Sequence, residues 1–313
     1  MSAAPPLPSY LQNRPKLAAW YRASRPRVFT ASYVPMGVAA AAALQNRVFE
    51  LIPFLLATLG VMLLQTAANL INEYVDFQRG AEDLKQAGQS MVIKNNLLTP
   101  REVLIGAIAS VIGGCLIGLY LLTQSGPLLW GIGIGGVLVA ITYTAGPFPL
   151  AYNGLGELAA GIFMGPMIVL GAYYVMAKTV YADLVWISIP VALMVAAILH
   201  ANNIRDVDAD RSVNKRTLVV LMGMRFARAE YAFLVIGTYV SLTILVLVGL
   251  IPPGALIALL TLPDAVQLVK TIYTETNTAK LHQAQGLTAR LHGRFGLFMV
   301  VGWLGWLFIK VLL

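Results

Sequence analysis

Long apolar stretches alternate with short polar segments along almost the whole chain. An α-helix needs about 20 apolar residues to cross the hydrocarbon core of a bilayer. Turn-forming sequences such as Pro252-Pro253-Gly254 separate neighbouring stretches. Nine stretches approach or reach the required length, at residues 28–47, 51–76, 102–124, 127–146, 155–178, 183–203, 229–250, 254–272 and 295–313. The pattern predicts an all-α polytopic membrane protein, with nine transmembrane helices in a single domain that covers residues 1–313.

The composition agrees with a membrane location. Hydrophobic residues make up 58 % of the chain and charged residues only 12 %, whereas soluble domains carry about 25 % charged residues. The single cysteine, Cys115, allows no disulfide within the chain. The net charge of +8 is typical of a membrane protein with basic cytoplasmic loops, so nucleic-acid binding is not expected. Residues 1–27 are basic and rich in proline, and they lack the short apolar core of a signal peptide.

The basic residues lie mainly on one side of the predicted helices. Of the 22 lysines and arginines, 19 fall in residues 1–27 or in the regions after the second, sixth and eighth stretches. Only Arg47, Lys178 and Lys310 fall on the other side. Because cytoplasmic loops carry the excess of positive charge, we expect a cytoplasmic N-terminus and an outer C-terminus. The protein is expected in a bacterial-type inner membrane, with any chemistry on the cytoplasmic face.

Two polar motifs stand at equivalent places on this cytoplasmic face. The second stretch runs into Asn72 and Asp76, and the sixth runs into Asn202, Asp206 and Asp210. The motifs are 130 residues apart, which corresponds to four spans and therefore keeps the same orientation. Residues four apart share one face of a helix. The spacing predicts two helix ends of a parallel repeat that converge their side-chain oxygens on one site.

The residue types in these motifs indicate a particular chemistry. Carboxylate and amide oxygens are suited to a hard cation such as magnesium, which also bridges substrate phosphates. No histidine or cysteine joins the motifs, which argues against zinc. Lys94, Lys215 and Arg216 follow the motifs and would attract an anion. Magnesium and cations in a membrane protein predict a substrate with a diphosphate head and a lipid tail, such as a polyprenyl diphosphate.

Four segments of the chain resemble the UbiA superfamily of intramembrane aromatic prenyltransferases, and within it the members that prenylate dihydroxynaphthoate in menaquinone biosynthesis. The first segment is similar to the N-terminal motif and first helix of the family, and the second to its first aspartate-rich motif. The third is similar to its central signature and the fourth to its second aspartate-rich motif. In order, they read SRPRVFTASYVPMGVAAAAA, NLINEYVDFQRGAED, YTAGPFPLAYNGLGELAAGIFMGP and NNIRDVDADRSVNKRTLVVLMG.

The resemblance implies nine helices around a central cavity and a magnesium-dependent transfer of a polyprenyl group to 1,4-dihydroxy-2-naphthoate with loss of carbon dioxide, giving demethylmenaquinone. Tyr143 would face the cavity, and its role is grouped with those of Asp76, Asp206, Asp210 and Lys215 as catalytic. The implied metal ligands are Asn72, Asp76, Glu82, Asn202, Asp206 and Asp210. The implied diphosphate contacts are Lys94, Arg79, Arg205, Lys215 and Arg216.

Several points stay open at this stage. Glu73 stands where the family commonly has aspartate, and Glu82 and Asp83 both compete for the later acid of the first motif. Asp208 lies two residues from either neighbouring acid, so it should point elsewhere on the helix and has no assigned role. The acceptor could instead be 4-hydroxybenzoate, homogentisate or a chlorophyllide. A cation transporter is the alternative from another class, because acids in a repeat also bind ions.

Overall fold

The computed structural model describes residues 8–81 and 90–312, and within these ranges the chain forms helices and no named β-strand. The prediction of an all-α membrane protein is therefore confirmed. We number the α-helices in chain order: α1 Pro15–Ser24, α2 Thr30–Gln45, α3 Leu51–Gln78, α4 Pro100–Ser125, α5 Leu128–Thr142, α6 Gly156–Met164, α7 Pro166–Ala177, α8 Asp183–Ser212, α9 Leu218–Met222, α10 Met224–Leu247, α11 Leu262–Thr274 and α12 Thr278–Leu312. Four short 3₁₀ helices accompany them, at Ser9–Leu11, Pro26–Val28, Leu150–Tyr152 and Pro253–Thr261.

The predicted count of nine spans holds only approximately. In the described residues, seven helical segments are long and apolar enough to cross a bilayer, with α6–α7 counted as one segment and Pro253–Thr274 as another. An eighth span results if the bent pair Pro15–Val28 and Thr30–Gln45 is taken as one. The remaining apolar helix, α5, has only 15 residues, which is short for a bilayer about 30 Å thick.

The helix ends follow from local sequence. Thr99 and Glu102 form a capping box at the start of α4, where Pro100 occupies the first turn. The stretch 155–178, predicted as one helix, is interrupted at Gly165 between α6 and α7. A Cβ atom at Gly165 would lie only 2.6 Å from the Cβ atom of Ala192 in α8. The interruption and the missing side chain together let the backbone approach α8 closely.

Helix α8 forms the centre of the bundle. About two-thirds of the most apolar 18-residue segment of α8 is buried inside the protein. The corresponding segments of α3 and α4 are only 17 % and 22 % buried. It packs against α6, α7, α10 and α12. The sixth predicted stretch is therefore surrounded by protein, and its polar C-terminal end is held inside the bundle. Helices α3, α4 and α5 form a more open side with large apolar side chains facing outward.

Gly302 of α12 lies in close backbone contact with Gly254. A Cβ atom there would lie 2.0 Å from the carbonyl oxygen of Gly254, which is backbone and cannot move aside easily. We expect Gly302→Ala to lower stability by about 1–3 kcal/mol. Its melting midpoint in detergent should fall by roughly 2 to 10 °C. Gly305→Ala is the matched control, because a Cβ atom at Gly305 meets nothing within 4 Å. Equal midpoints for the two variants would contradict this packing.

Candidate active site

A cavity of about 640 Å³ lies inside the bundle, bordered mainly by α3, α4, α5, α6, α7 and α8. Its volume is within the range of typical small-molecule sites. Apolar side chains line most of it, including Leu64, Leu122, Phe163 and Met167. The polar lining comes mostly from the last turns of α3 and α8 and from nearby loops. Its members are Arg25, Gln65, Asn69, Asn72, Glu73, Asp76, Ser90, Tyr143, Asn202, Asn203, Arg205, Asp206, Lys215 and Gln285.

Lys215 joins the two acidic motifs. Its ammonium nitrogen lies 3.3 Å from Asp210 Oδ1 and 3.8 Å from Asp76 Oδ2, and all three side chains are buried. Burial by itself lowers the pKa of the Lys215 ammonium, but the two carboxylates raise it, and the net direction is upward. Lys215 therefore stays charged. The two motifs, 130 residues apart in sequence, meet at one cation.

Tyr152 supports this meeting point from the loop between α5 and α6. Its hydroxyl group donates a hydrogen bond of 2.9 Å to Asp76 Oδ1. The Arg79 guanidinium carbon stands 4.2 Å from the centre of the Tyr152 ring, and Lys215 Nζ stands 5.4 Å from it. Burial raises the pKa of the Tyr152 phenol, and the charge of Asp76 raises it further. The phenol thus remains a hydrogen-bond donor to Asp76.

Arg205 holds the other acid of the second motif. Its guanidinium donates two hydrogen bonds to Asp206, of 2.6 and 2.5 Å, and a third of 2.8 Å to Asn202 Oδ1. A further contact of 2.9 Å joins Arg205 to His282 Nδ1 of α12. Arg205 and Asp206 are both buried. Arg205 thus neutralises Asp206 and positions Asn202, and its guanidinium has several protein partners besides any anion that enters the cavity.

Arg25 contributes a cation that the residue-by-residue prediction did not assign. Its guanidinium donates to Asn72 Oδ1 at 3.1 Å and to Glu73 Oε2 at 3.2 Å. Glu73 is fully buried and also accepts a 2.6 Å hydrogen bond from the backbone N–H of Val92. Glu73 therefore anchors the loop before α4 to α3, which answers why a longer acid stands there. The signal for Arg25 was present in the segment SRPR.

Other predicted residues lie outside the cavity lining or outside the described residues. Among the described residues, neither Lys94 nor Arg216 belongs to the cavity lining. Arg216 is exposed, and its backbone N–H donates to the carbonyl oxygen of Tyr152 at 3.2 Å. Glu82 and Asp83 lie outside the described residues. The Asp208 side chain is 93 % exposed and lies 3.6 Å from Arg211, so it points away from the site, as its helical spacing predicted.

The side-chain oxygens of the site fit a divalent cation that takes its remaining ligands from water and substrate. Within the described parts of the chain, no three carboxylate, imidazole or thiolate groups are close enough to hold a metal by themselves. Amide oxygens of Asn72 and Asn202 line the same cavity as Asp76 and Asp206. The Lys215 ammonium already stands between two carboxylates as a cation of the protein itself. This set fits magnesium, which completes its shell with water and substrate phosphate.

Comparisons with known proteins identify the family of this chain. Residues 33–309 match the UbiA prenyltransferase family. Apolar helices around a cavity with two acidic motifs define an integral membrane enzyme class, and the chain belongs to the UbiA prenyltransferase family. Within that family, the chain is similar to a 1,4-dihydroxy-2-naphthoate octaprenyltransferase of Bacillus subtilis (strain 168). The two are 32 % identical over 282 residues, which cover 90 % of this chain and 91 % of that protein.

A eukaryotic relative and a solved structure extend the comparison. UbiA prenyltransferase domain-containing protein 1 of Xenopus tropicalis is 31 % identical over 291 residues, covering 92 % of this chain and 82 % of that protein. A UbiA homolog from Archaeoglobus fulgidus bound to DMAPP and Mg²⁺ has a TM-score of 0.61 at 14 % identity. That match covers 90 % of this chain and 99 % of the other. At this identity the likeness supports the fold.

Proposed function

We propose that the protein transfers a polyprenyl group from polyprenyl diphosphate to 1,4-dihydroxy-2-naphthoate, with loss of carbon dioxide, to give demethylmenaquinol, the reduced form of demethylmenaquinone. The observation that carries the proposal is the convergence of Asp76 and Asp210 on Lys215, next to the polar end of a largely apolar cavity. A diphosphate needs cations, and a polyprenyl tail needs an apolar enclosure. Lys215, together with a metal held by the acidic motifs, would supply the positive charge, and the apolar cavity would enclose the tail.

The diphosphate is held by charged groups at this polar end. Lys215 lines the cavity and supplies a positive charge that is insensitive to ordinary pH. Arg79 stands over Tyr152 beside it, and Lys94, Arg205 and Arg216 are further proposed contacts. Magnesium, held by Asn72, Asp76, Asn202, Asp206 and Asp210, with Glu82 as a further proposed ligand, would stabilise the charge of the departing diphosphate.

The walls of the cavity protect the reacting carbon. Loss of diphosphate from an allylic substrate leaves an electron-poor carbon that water would attack. Apolar side chains and the aromatic ring of Tyr143, all on the cavity wall, exclude water and face that carbon. Tyr152 keeps Asp76 in place by its hydrogen bond. The ring carbon that bears the carboxylate of the acceptor then forms the new carbon–carbon bond, and the carboxylate departs as carbon dioxide.

The naphthoate acceptor is favoured by the names of the bacterial relatives and by the segment YTAGPFPLAYNGLGE. Other acceptors are the alternative within the same class, because the chain is also similar to eukaryotic relatives whose name specifies no acceptor. Lysines and arginines beside the acids favour an anionic ligand over cation transport.

The distribution of basic residues places the polar end of the cavity on the cytoplasmic side of a bacterial-type inner membrane in this proposal.

An acceptor panel tests this proposal. Protein reconstituted in lipid with magnesium and a polyprenyl diphosphate is offered dihydroxynaphthoate, 4-hydroxybenzoate or homogentisate. We expect a prenylated product without the carboxyl group from dihydroxynaphthoate, at a kcat/KM at least about 100-fold above the other two. Mass spectrometry identifies the product, and released carbon dioxide is measured in parallel. Equal transfer to 4-hydroxybenzoate would contradict the acceptor assignment while leaving the enzyme class in place.

A further inference from the structure

A buried hydrogen-bond network adjoins the cavity wall on the side of α6 and α8. Glu157, in the first turn of α6, accepts a 2.9 Å hydrogen bond from Asn203 Nδ2 through its Oε1 atom. The same oxygen lies 2.9 Å from His200 Nδ1. His200 is completely buried, Glu157 is 4 % exposed and Asn203 is 5 % exposed. None of the three belongs to the proposed metal or diphosphate ligands, so the network has a different role.

The protons of this network follow from its partners. His200 Nε2 lies 2.8 Å from the carbonyl oxygen of Ala227, which only accepts, so Nε2 carries a hydrogen. Glu230 Oε2 lies 3.7 Å from the same nitrogen, which is a charge contact and too long for a hydrogen bond. One more proton then lies between Nδ1 and Glu157 Oε1. In either protonation pattern, Oε1 remains an acceptor for Asn203, and the amide group of Asn203 is held in one orientation.

That orientation directs the carbonyl oxygen of Asn203 away from Glu157. Asn203 lines the cavity, and its Oδ1 atom accepts no hydrogen bond from the described residues. The Oδ1 atom is also not fully enclosed by protein, so a ligand in the cavity can reach it. An acceptor oxygen with fixed orientation binds an O–H or N–H donor and rejects another acceptor.

The position of Asn203 connects it to the reacting end of the cavity. It lies three residues before Asp206, beside Asn202, and both of these line the same cavity. Tyr143 borders the same region: a Cβ atom at Gly156, the residue before Glu157, would lie 3.4 Å from the Tyr143 hydroxyl oxygen. A molecule that contacts Asn203 is therefore next to the bound diphosphate and to the aromatic side chain of the wall.

We propose that Asn203 Oδ1 accepts a hydrogen bond from a ring hydroxyl of the aromatic acceptor, and that Glu157 and His200 are positioning residues that hold it. The inference rests on the proposed function, because it needs a hydroxylated aromatic acceptor in the cavity. A hydrogen bond donated by the ring hydroxyl places more electron density on the ring, which favours attack on the allylic carbon. The network thus selects hydroxyl-bearing rings and rejects quinones or methyl ethers.

Acceptor binding without turnover tests the proposal. Calorimetric titrations use 1,4-dihydroxy-2-naphthoate and its two analogues that lack one hydroxyl group, 1-hydroxy-2-naphthoate and 4-hydroxy-2-naphthoate. In the parent protein, one analogue should bind at least about 30-fold more weakly than the dihydroxy compound. We call this ratio of dissociation constants the hydroxyl penalty. In Asn203→Leu this penalty should shrink to about threefold or less. In the matched control Asn69→Leu, a cavity amide on α3, the penalty should remain.

Two further readouts separate recognition from a structural effect. In transfer assays, Asn203→Leu should raise KM for the acceptor at least about 10-fold and leave KM for prenyl diphosphate within about twofold. Glu157→Ala frees the Asn203 amide group to rotate but keeps the amide in place, so its hydroxyl penalty should be smaller than that of the parent. This variant replaces Asn203→Leu as the test if Asn203→Leu does not fold. A penalty unchanged in both variants overturns the proposal, as does a parent protein that binds all three compounds equally.

The same titrations, together with the transfer assay, distinguish failure of the proposed reaction from failure of the proposed Asn203 contact. A parent protein that binds dihydroxynaphthoate with a hydroxyl penalty but transfers no prenyl group would contradict the proposed reaction and support the Asn203 contact. A parent protein that transfers the prenyl group without any hydroxyl penalty would support the reaction and overturn the Asn203 contact. No binding of any of the three compounds would contradict both.

Discussion

Asp76→Asn and Asp206→Asn are each expected to reduce magnesium-dependent prenyl transfer by at least about 100-fold. Both carboxylates are buried at the cavity, one from each acidic motif. Asparagine keeps the size and one oxygen, so the change removes negative charge with little loss of packing. The measurement is the initial rate of prenylated product at saturating acceptor, with magnesium varied, and with melting midpoints to confirm folding.

Asp208→Asn provides the matched control for these variants. It makes the same chemical change two residues along α8, but the Asp208 side chain is 93 % exposed and faces Arg211. Its rate should stay within about twofold of the parent, because exposed ion pairs contribute little. A parental rate in Asp206→Asn, or an equal loss in Asp208→Asn, would show that burial in the cavity does not identify the functional acids.

Lys215→Met is expected to have the second large effect, on both activity and stability. It leaves Asp76 and Asp210 buried and close together without the ammonium between them. Removing one partner of a buried ion pair costs about 3 to 5 kcal/mol, and the diphosphate loses a cation as well. We expect transfer to fall at least about 100-fold and the melting midpoint to fall clearly. Product formation and thermal unfolding in detergent measure the two effects.

Two comparisons sharpen the Lys215 prediction. Lys280→Met removes an exposed lysine that pairs with Glu275, and it should change neither the transfer rate nor the melting midpoint measurably.

The pKa of Lys215 is raised in the folded protein. The stability from its charge is therefore fully present below the unfolded pKa of lysine, and it is lost only as the pH rises through the folded pKa. Lys215 should therefore cause no loss of rate between about pH 7 and 9. A normal midpoint in Lys215→Met would contradict the buried pairing.

Much of the fold followed from hydropathy because a bilayer demands long apolar helices. The predicted stretches 51–76 and 183–203 lie within α3 and α8, whereas α12 begins at Thr278, well before the predicted stretch 295–313. The interruption at Gly165 was not predicted, because it depends on the approach of Ala192 from another helix. The bend before α2 and the short α5 likewise depend on neighbouring helices, and hydropathy alone does not report them.

The candidate site followed from sequence where its residues repeat at helical spacing. Helical spacing predicts Asp76, Asp206 and Asp210 as site residues, and the exposed position of Asp208 follows from the same spacing. Tyr152 and His282 contact the site from a loop and from α12, and such partners depend on tertiary packing that no local pattern encodes. The charge pairing of Arg205 with Asp206 was also hidden, since adjacent residues on a helix do not usually face each other.

The most direct test of the central claim is prenyl transfer by the purified protein in lipid nanodiscs. Polyprenyl diphosphate and dihydroxynaphthoate are supplied with magnesium, or with a chelator in its place, and both the prenylated product and the released diphosphate are quantified. We expect equal amounts of the two with magnesium and neither with the chelator. Transfer that continues in the chelator would contradict the magnesium-dependent site. So would vesicle assays that show ion flux in a protein that forms no prenylated product.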